Sequence, residues 1–503
     1  IVAKETDKSA AILSKVMAKS DDSTVASVIN NITEKNANEE SKLSLKVMAD
    51  FSEKNPEKLE TLVQNNADQI QKLTISAVEE AASSQEDADL IAKVVASASD
   101  DLVNKVVEEV SKNSTEENQT LSAHVLKAIV DSESGKIDII NNDVKDIMIK
   151  QTIQSAQNQA GGTGVQQTQD MTSIVSDIIV NTNTETGSKM IEEVNNSSTE
   201  NNLSLQVISG ISEKDTTKLN TLSENNKEQI DTLTQSAVKN AGSSQESADL
   251  IAKVVANASD DFANQIIGEV TKNSTDENQA LSAKVMKSIV ETNPDKIENL
   301  NDENKDNLIS QTIEAAKNQA EGTSSDELDL SNTIAEIVTN SDTGTAAKVL
   351  ESLEEASNDS DSKLSLSVVS NLTKQENYEE KMEILSVTSS VVDQSINTLI
   401  EKAVENASSE EDLELVTDIV ENSKGSLGDK IVNSANKSEE SKKKITEIIV
   451  KVVEKNPEKA VEIIEKNKNT NAVLETVKNK IEKGEAVSTD DFEEVFDTNV
   501  SPN

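Results

Sequence analysis

One nine-residue string, ADLIAKVVA, occurs twice in this chain, at Ala88–Ala96 and again at Ala248–Ala256, an offset of 160 residues. The flanks follow it: SASDDLVNKVVEEVSKNSTEENQTLSAHVLKAIV is echoed by NASDDFANQIIGEVTKNSTDENQALSAKVMKSIV. Leu43-Ser44-Leu45 and Leu203-Ser204-Leu205 share the same offset, and each precedes a Ser-Glu-Lys turn. A chain that repeats itself at a fixed interval is confined to folds in which one unit packs on the next. The block is itself double. The apolar pair Val106-Val107 has counterparts at Val28-Ile29, Met190-Ile191, Ile266-Ile267, Val349-Leu350 and Ile431-Val432, with successive offsets of 78, 84, 76, 83 and 82 residues. The unit is therefore about 80 residues long, and six copies occupy residues 1–80, 81–160, 161–240, 241–322, 323–406 and 407–484. Residues 485–503 break the pattern as an acidic tail with Phe492 and Phe496.

Within the unit the apolar spacing is helical. Leu90, Ile91, Val94, Val95 and Ala98 step by 1, 3, 1 and 3, and Leu102, Val103, Val106, Val107 and Val110 do so again. That spacing paints one stripe on a helix of 3.6 residues per turn. Ser99-Asp100-Asp101 between the two stripes supplies a capping residue and acids for the first turn of the second helix. Asn55-Pro56-Glu57-Lys58, Asn293-Pro294-Asp295-Lys296 and Asn456-Pro457-Glu458-Lys459 share a second turn, with Asn as the expected N-cap and Pro where a helix needs no donor. Asp215-Thr216 and Glu133-Ser134 fill that slot in other copies. No alternating β-branched or aromatic run points to a strand. Four or five short helices per unit are expected, with Gly161-Gly162-Thr163-Gly164 and Gly322-Thr323-Ser324-Ser325 as variable linkers. A single unit cannot bury such thin stripes alone, so the expected fold is all-α: an elongated α-solenoid of stacked hairpins.

Composition narrows the function classes. Aromatic residues make up 1% of the 503, with no Trp, so a thick aromatic core is not expected. The formal charge is −45, from 48 basic and 93 acidic residues, and every fixed cation is a lysine. Nucleic-acid binding needs basic patches that release counterions, and this balance opposes it, as it opposes anionic membrane surfaces. The absence of Cys removes disulfides and thiolate chemistry. No segment has the apolar length to span a bilayer. The opening IVAKETDKSAA shows no signal peptide and begins inside a repeat, which reads as a processed product or a piece of a longer chain.

Helical hairpins of about 40 residues, two to a unit, with a capped turn that holds Pro in several copies, resemble the HEAT- and armadillo-like α-solenoid class across residues 5–484. The chain departs from that class in lacking Arg, in its low aromatic content and in carrying no motif of a named HEAT or armadillo family. The resemblance implies scaffolding and protein binding. The acidic, Cys-free, Ser/Thr/Asn-rich composition is also similar to that of large repetitive bacterial surface proteins.

Candidate chemistry is sparse. The one histidine, His124, has Lys284 in its place 160 residues on, so a solvated helix face is expected for both. Carboxylates are too frequent for a pair to signal acid–base work. Asn181, Asn183 and Glu185, with Glu192 beyond, place oxygens at alternate positions as an EF-hand loop does, and mark a candidate calcium site; its glycine, Gly187, falls one place late. Asn340-Ser341-Asp342-Thr343-Gly344 is a second, poorer match. Asn-X-Ser/Thr triplets at Asn31, Asn113, Asn273 and Asn371 are expected by chance in such a composition. No phosphate-binding glycine motif is present. The expectation is a non-enzymatic structural protein that self-associates at the cell surface or outside the cell, into a filament, sheath or layer. The alternative is a scaffold that binds a protein or peptide on a concave acidic face. No catalytic residue and no cofactor other than calcium is expected.

Overall fold

Straight-chain and small residues dominate the sequence between its capping positions, and the helix is the conformation they favour. The computed structural model describes every residue except 1, 36–41, 82–83, 115–119, 161–169, 198–201, 243, 275–279, 321–328, 359–362, 377–379, 385–393, 396–397, 400–401, 403–408, 423–438, 467–477 and 489–503. Both glycine linkers, the Ile431-Val432 pair and the Phe-bearing part of the tail lie outside the described residues. Among the described residues every regular element is a helix, so the chain is all-α.

Two units are distinguished, Ile1–Ala241 with Asn257–Phe262, and Gly242–Ala256 with Ala263–Asn503. The first contains α1 (Val2–Lys19), α2 (Asp22–Lys35), α3 (Leu43–Lys54), α4 (Pro56–Asn65), α5 (Ala67–Glu79), α6 (Gln85–Ser97), α7 (Asp100–Asn113) and α8 (Leu121–Glu133). A 3₁₀ turn (Ser134–Ile137) leads to α9 (Asn142–Ala160), α10 (Met171–Asn181), α11 (Thr184–Ser197), α12 (Leu203–Lys214), α13 (Thr216–Asn225) and α14 (Lys227–Asn240). The division falls in α15 (Gln245–Asn257) and α16 (Asp260–Asn273). The second unit continues with α17 (Ala280–Thr292), α18 (Asp295–Glu298), α19 (Asp302–Ala320), α20 (Leu330–Asn340), α21 (Thr343–Asn358) and α22 (Leu364–Lys374). It ends, among described helices of ten or more residues, with α23 (Glu410–Asn422), α24 (Glu439–Lys455) and α25 (Pro457–Lys466).

Packing in the first unit follows two rows. One runs α1, α3, α6, α8, α10, α12 and the other α2, α5, α7, α9, α11, α14, each helix touching the next in its row. In the second unit α17, α20, α22, α23 and α24 touch in the same order, and α19 packs on α21. Row position explains composition. A helix such as α12 is flanked on several sides and buries Leu203, Ser204, Leu205, Val207, Ile208, Ser209, Ile211 and Ser212, nearly its whole circumference. Its small residues let neighbours approach: a Cβ at Gly210 would overlap the Ser176 hydroxyl of α10. By contrast α7 buries a single stripe, Leu102, Val103, Val106, Val107, Val110 and Ser111.

The turns use the expected residues, but not always through the expected contact. Ser84 accepts from the Asp87 amide at 3.2 Å and so caps α6. Asp215 accepts from the Lys218 amide at 2.9 Å, and Asn456 from the Lys459 amide at 3.1 Å. Asn55 and Ser99 stand at N-cap positions without a side-chain cap hydrogen bond; at Asn55 the fixed φ of Pro56 already starts the helix. Helix boundaries recur at the sequence offset of 160, from α3 and α12 through α9 and α19.

Candidate functional site

The polar groups that meet between neighbouring helices form the most developed arrangement in the structure. They start from uncharged side chains. Asn104 of α7 accepts from the Asn141 amide at 2.6 Å and donates to the Ile139 carbonyl at 3.1 Å. Asn264, 160 residues on, accepts from the Asn301 amide at 2.8 Å. Gln151 accepts from Ser122 at 2.7 Å and donates to the Ser111 carbonyl at 2.8 Å. Its counterpart Gln311 accepts from Ser282 at 2.6 Å and donates to the Thr271 carbonyl at 2.7 Å. A side chain that satisfies a neighbouring helix's backbone fixes register, because a slip would strand a buried polar group.

Lysines occupy the same seams. Lys46 reaches Asp7 at 2.7 Å, Lys189 reaches Asp146 at 3.0 Å, and Lys348 reaches Asp306 at 2.6 Å. Lys127 meets Asp177 at 3.6 Å and Lys287 meets Glu336 at 3.0 Å. Each such pair contributes little singly when exposed. In each of these pairs the lysine bridges two helices.

One lysine series was not anticipated from the sequence. Lys58 donates to Asp22 at 2.9 Å, Lys136 to the Ala98 carbonyl at 2.9 Å, and Lys218 to the Thr182 carbonyl at 2.5 Å; Lys381 donates to the Ser341 carbonyl. Ala98, Thr182 and Ser341 are the C-caps of α6, α10 and α20, where an ammonium satisfies free carbonyls and complements the helix dipole. Burial pushes the Lys218 ammonium down, against the opposing charge of Asp215, and does the same at Lys381 against Asp342. The signal was present in the last letter of Asn55-Pro56-Glu57-Lys58, which recurs with a lysine in each copy of the turn: Lys58, Lys136, Lys218, Lys296, Lys381 and Lys459.

The candidate calcium ligands lie around the turn between α10 and α11. Asn183 accepts from the Thr186 amide at 2.8 Å, so it caps α11, and its amide donates to Asp138. Asn181 donates to the Asp177 carbonyl at 3.0 Å. Glu185 is exposed in the first turn of α11, and Glu192 is exposed about two turns further on. The equivalent turn before α21 is capped by Asp342, which accepts from the Gly344 amide at 2.7 Å and the Thr345 amide at 3.0 Å. Burial pushes the Asp342 carboxyl up, but Thr345, the Gly344 amide and Lys305 outweigh it and hold the group below its usual range. Among the described residues no three His, Cys, Asp or Glu side chains converge as a metal ion requires.

His124 corrects the sequence reading. It and Lys284 are both buried, not solvated. The reason is the position of α8, which is packed by α6, α9 and α10, so a residue opposite its apolar stripe is still covered.

Acids at the seams respond to burial. Glu80 is largely buried after α5 and accepts from the Leu45 amide at 3.2 Å, at the start of α3. Burial pushes its carboxyl above the ordinary range, opposed by hydrogen bonds from Ser44, Leu45 and Ser76. The native state therefore holds this proton more tightly than the unfolded chain does. Its stabilising contribution is complete below the unfolded value of 4.5 and is lost as pH rises through the raised native value. Glu80→Gln keeps the neutral form. Relative to Glu80→Gln, the native chain should lose stability as pH rises above the ordinary value of 4.5, read by paired urea titrations. A difference independent of pH would show that burial does not control this carboxyl. Asn240 stands in the same place 160 residues on, so the site tolerates an amide.

Two solved structures are similar to parts of this chain. A crystal structure of an engineered protein from the Northeast Structural Genomics Consortium is 13% identical, with 83% of this chain and 94% of that chain covered and a TM-score of 0.25. A structure from computational design of self-assembling cyclic protein homo-oligomers is 12% identical, with 67% of this chain and 99% of that chain covered and a TM-score of 0.13. At these scores neither likeness carries an argument. No family model matches the chain, and no curated protein matches it.

Proposed function

We propose that this chain is a non-enzymatic structural protein, an α-solenoid of six hairpin units that self-associates into a filament, sheath or layer at the cell surface. The recurrence of one polar seam supports this reading: Asn104 with Asn141, and Asn264 with Asn301, make the same contact 160 residues apart. Residues devoted to stacking one unit on the next are repeated, whereas a catalytic centre depends on side chains that occur once. Calcium is the cofactor this reading admits, at the turn of Asn181, Asn183 and Glu185 with Glu192, where it would offset part of the −45 charge during assembly.

Sedimentation velocity over a concentration series, with and without calcium, tests the proposal, with electron microscopy of the largest species. Concentration-dependent growth into regular filaments or layers is expected, steeper with calcium. A chain that remains a monomer at the highest concentration in both conditions overturns it. Recovery of one stoichiometric basic protein by that monomer would favour the scaffold with an acidic concave face.

A further inference from the structure

The first turn of α3 is held from outside itself. Lys42 stands at its N-cap with φ 49 and no side-chain cap hydrogen bond. That is the left-handed region, which a lysine seldom adopts. At the same place before α12 and α22, Asn202 has φ −77 and Lys363 has φ −69. The start of a helix leaves its first amides without partners in the helix. Here Glu80, the C-cap residue of α5, accepts from the Leu45 amide at 3.2 Å. Ser76 donates to the same carboxyl at 3.4 Å and meets the Ser44 hydroxyl at 2.9 Å, so one polar cluster joins α3 to α5.

The repeat shows what this position carries elsewhere. Thr74, Thr152 and Thr312 are buried, and each donates to the carbonyl four residues back, at 2.8, 2.8 and 2.7 Å, which fixes the register of α5, α9 and α19. Six residues after Thr74, Thr152, Thr234 and Thr312 stand Glu80, Asn158, Asn240 and Asn318. The string Ala77-Val78-Glu79-Glu80-Ala81 is matched by Ala403-Val404-Glu405-Asn406-Ala407. Among these five copies the first alone places an ionisable group there. Asparagine both donates and accepts, as a protonated carboxyl does, whereas an ionised carboxylate only accepts. Glu80 is buried, and burial disfavours the ionised form.

The lysines of the surrounding elements are engaged with other acids. Lys42 pairs with Asp87 of α6 at 2.5 Å, and Lys46 of α3 with Asp7 at 2.7 Å. The end of α7 lies beside the end of α5, since Asn113 donates to the Val78 carbonyl at 2.7 Å; its Lys112 pairs with Glu108 at 2.8 Å and Glu109 at 2.9 Å. Glu86 adds an acid in the first turn of α6 and Glu79 another in the last turn of α5. The remaining neighbours are α2, which ends in Glu34 and Lys35, and α4, which leads into the opposite end of α5.

We propose that Glu80 is a proton-controlled latch on α3: protonated, it takes the part of the asparagine and holds the left-handed first turn; ionised, it releases that turn, and α3 opens from Lys42 inward. The other copies carry an amide at the latch position, so the response is confined to the first copy. It does not depend on self-association.

Amide hydrogen exchange of the full chain, corrected for the intrinsic pH dependence of exchange, tests the latch over a series from below the ordinary carboxylate value of 4.5 to neutrality. Protection of residues 45–48 should fall by about fivefold or more as pH rises, the loss of about one buried hydrogen bond. Protection of residues 205–208 in α12 should change by less than about twofold. Glu80→Gln should flatten the α3 profile. Asn240→Glu, checked for unchanged helicity by circular dichroism, should transfer the response to α12, because Ser204, Leu205 and Ser236 match Ser44, Leu45 and Ser76. An α3 profile as flat as that of α12 overturns the latch. A response that survives Glu80→Gln, or one that fails to appear in folded Asn240→Glu, overturns it as well.

Discussion

Replacing Val95 by Asp is expected to destabilise the hairpin of α6 and α7 by about 4 kcal/mol or more. Val95 is fully buried in α6, which lies between α3 and α8. The substitution removes apolar contact and places a carboxylate at a fully buried position of the apolar stripe. Burial of an unpaired charge is among the few changes that reach this size. Because the described helices of the first unit pack chiefly on helices near them in the chain, the damage should be local. Amide hydrogen exchange is the suitable measurement: protection should fall in α3, α6, α7 and α8 and persist in α19 to α22. Unchanged protection in α6 would refute the assignment of its inward face.

The second large effect concerns a buried charge. Lys42 precedes α3 and meets Asp87 of α6 at 2.5 Å. Asp87 is 1% exposed and the Lys42 side chain 31%; the lysine offsets the buried charge, and Ser84 donates to the same carboxylate at 2.7 Å. Lys42→Ala should cost about 3 kcal/mol, somewhat below a fully buried pair because the lysine is partly solvated. The chain itself suggests the rescue. Where Lys42 and Asp87 stand, the positions 160 residues on hold Asn202 and Ser247. The pair returns further along as Lys363 and Asp412 at 3.1 Å, with Asp412 also 1% exposed. Acid and lysine are present together or absent together. The double variant Lys42→Asn with Asp87→Ser should therefore lie within about 1 kcal/mol of the native chain, and urea unfolding of the four corners of the cycle measures the coupling. Additive losses would show that the two residues stabilise α6 independently.

Reading the sequence worked where the signal was local and periodic. The stripes of α6 and α7 are buried, apart from the half-buried Leu90, and the hairpin turn falls at Ser99. The helices at Pro56 and Pro457 start where proline allows. It failed at His124, because a single stripe says nothing of a helix covered from several sides. It also passed over Lys136, Lys218 and Lys381, since a lysine in an acidic chain looks solvated until the carbonyl it caps, some 36 to 40 residues away, is brought beside it. The candidate calcium residues were legible only as oxygen-rich spacing. The structure divides them among the last turn of α10, the cap of α11 and the exposed face of α11.

Sequence alone determined the helical class, the stripes and the interval of recurrence, because these depend on contacts within a few residues and on chain self-similarity. Tertiary structure decided which helices are enclosed on several sides. His124 and Lys284 hold positions that local spacing marks as solvated, yet both are buried. The reason lies in the helices packed around them, and no local propensity encodes that packing.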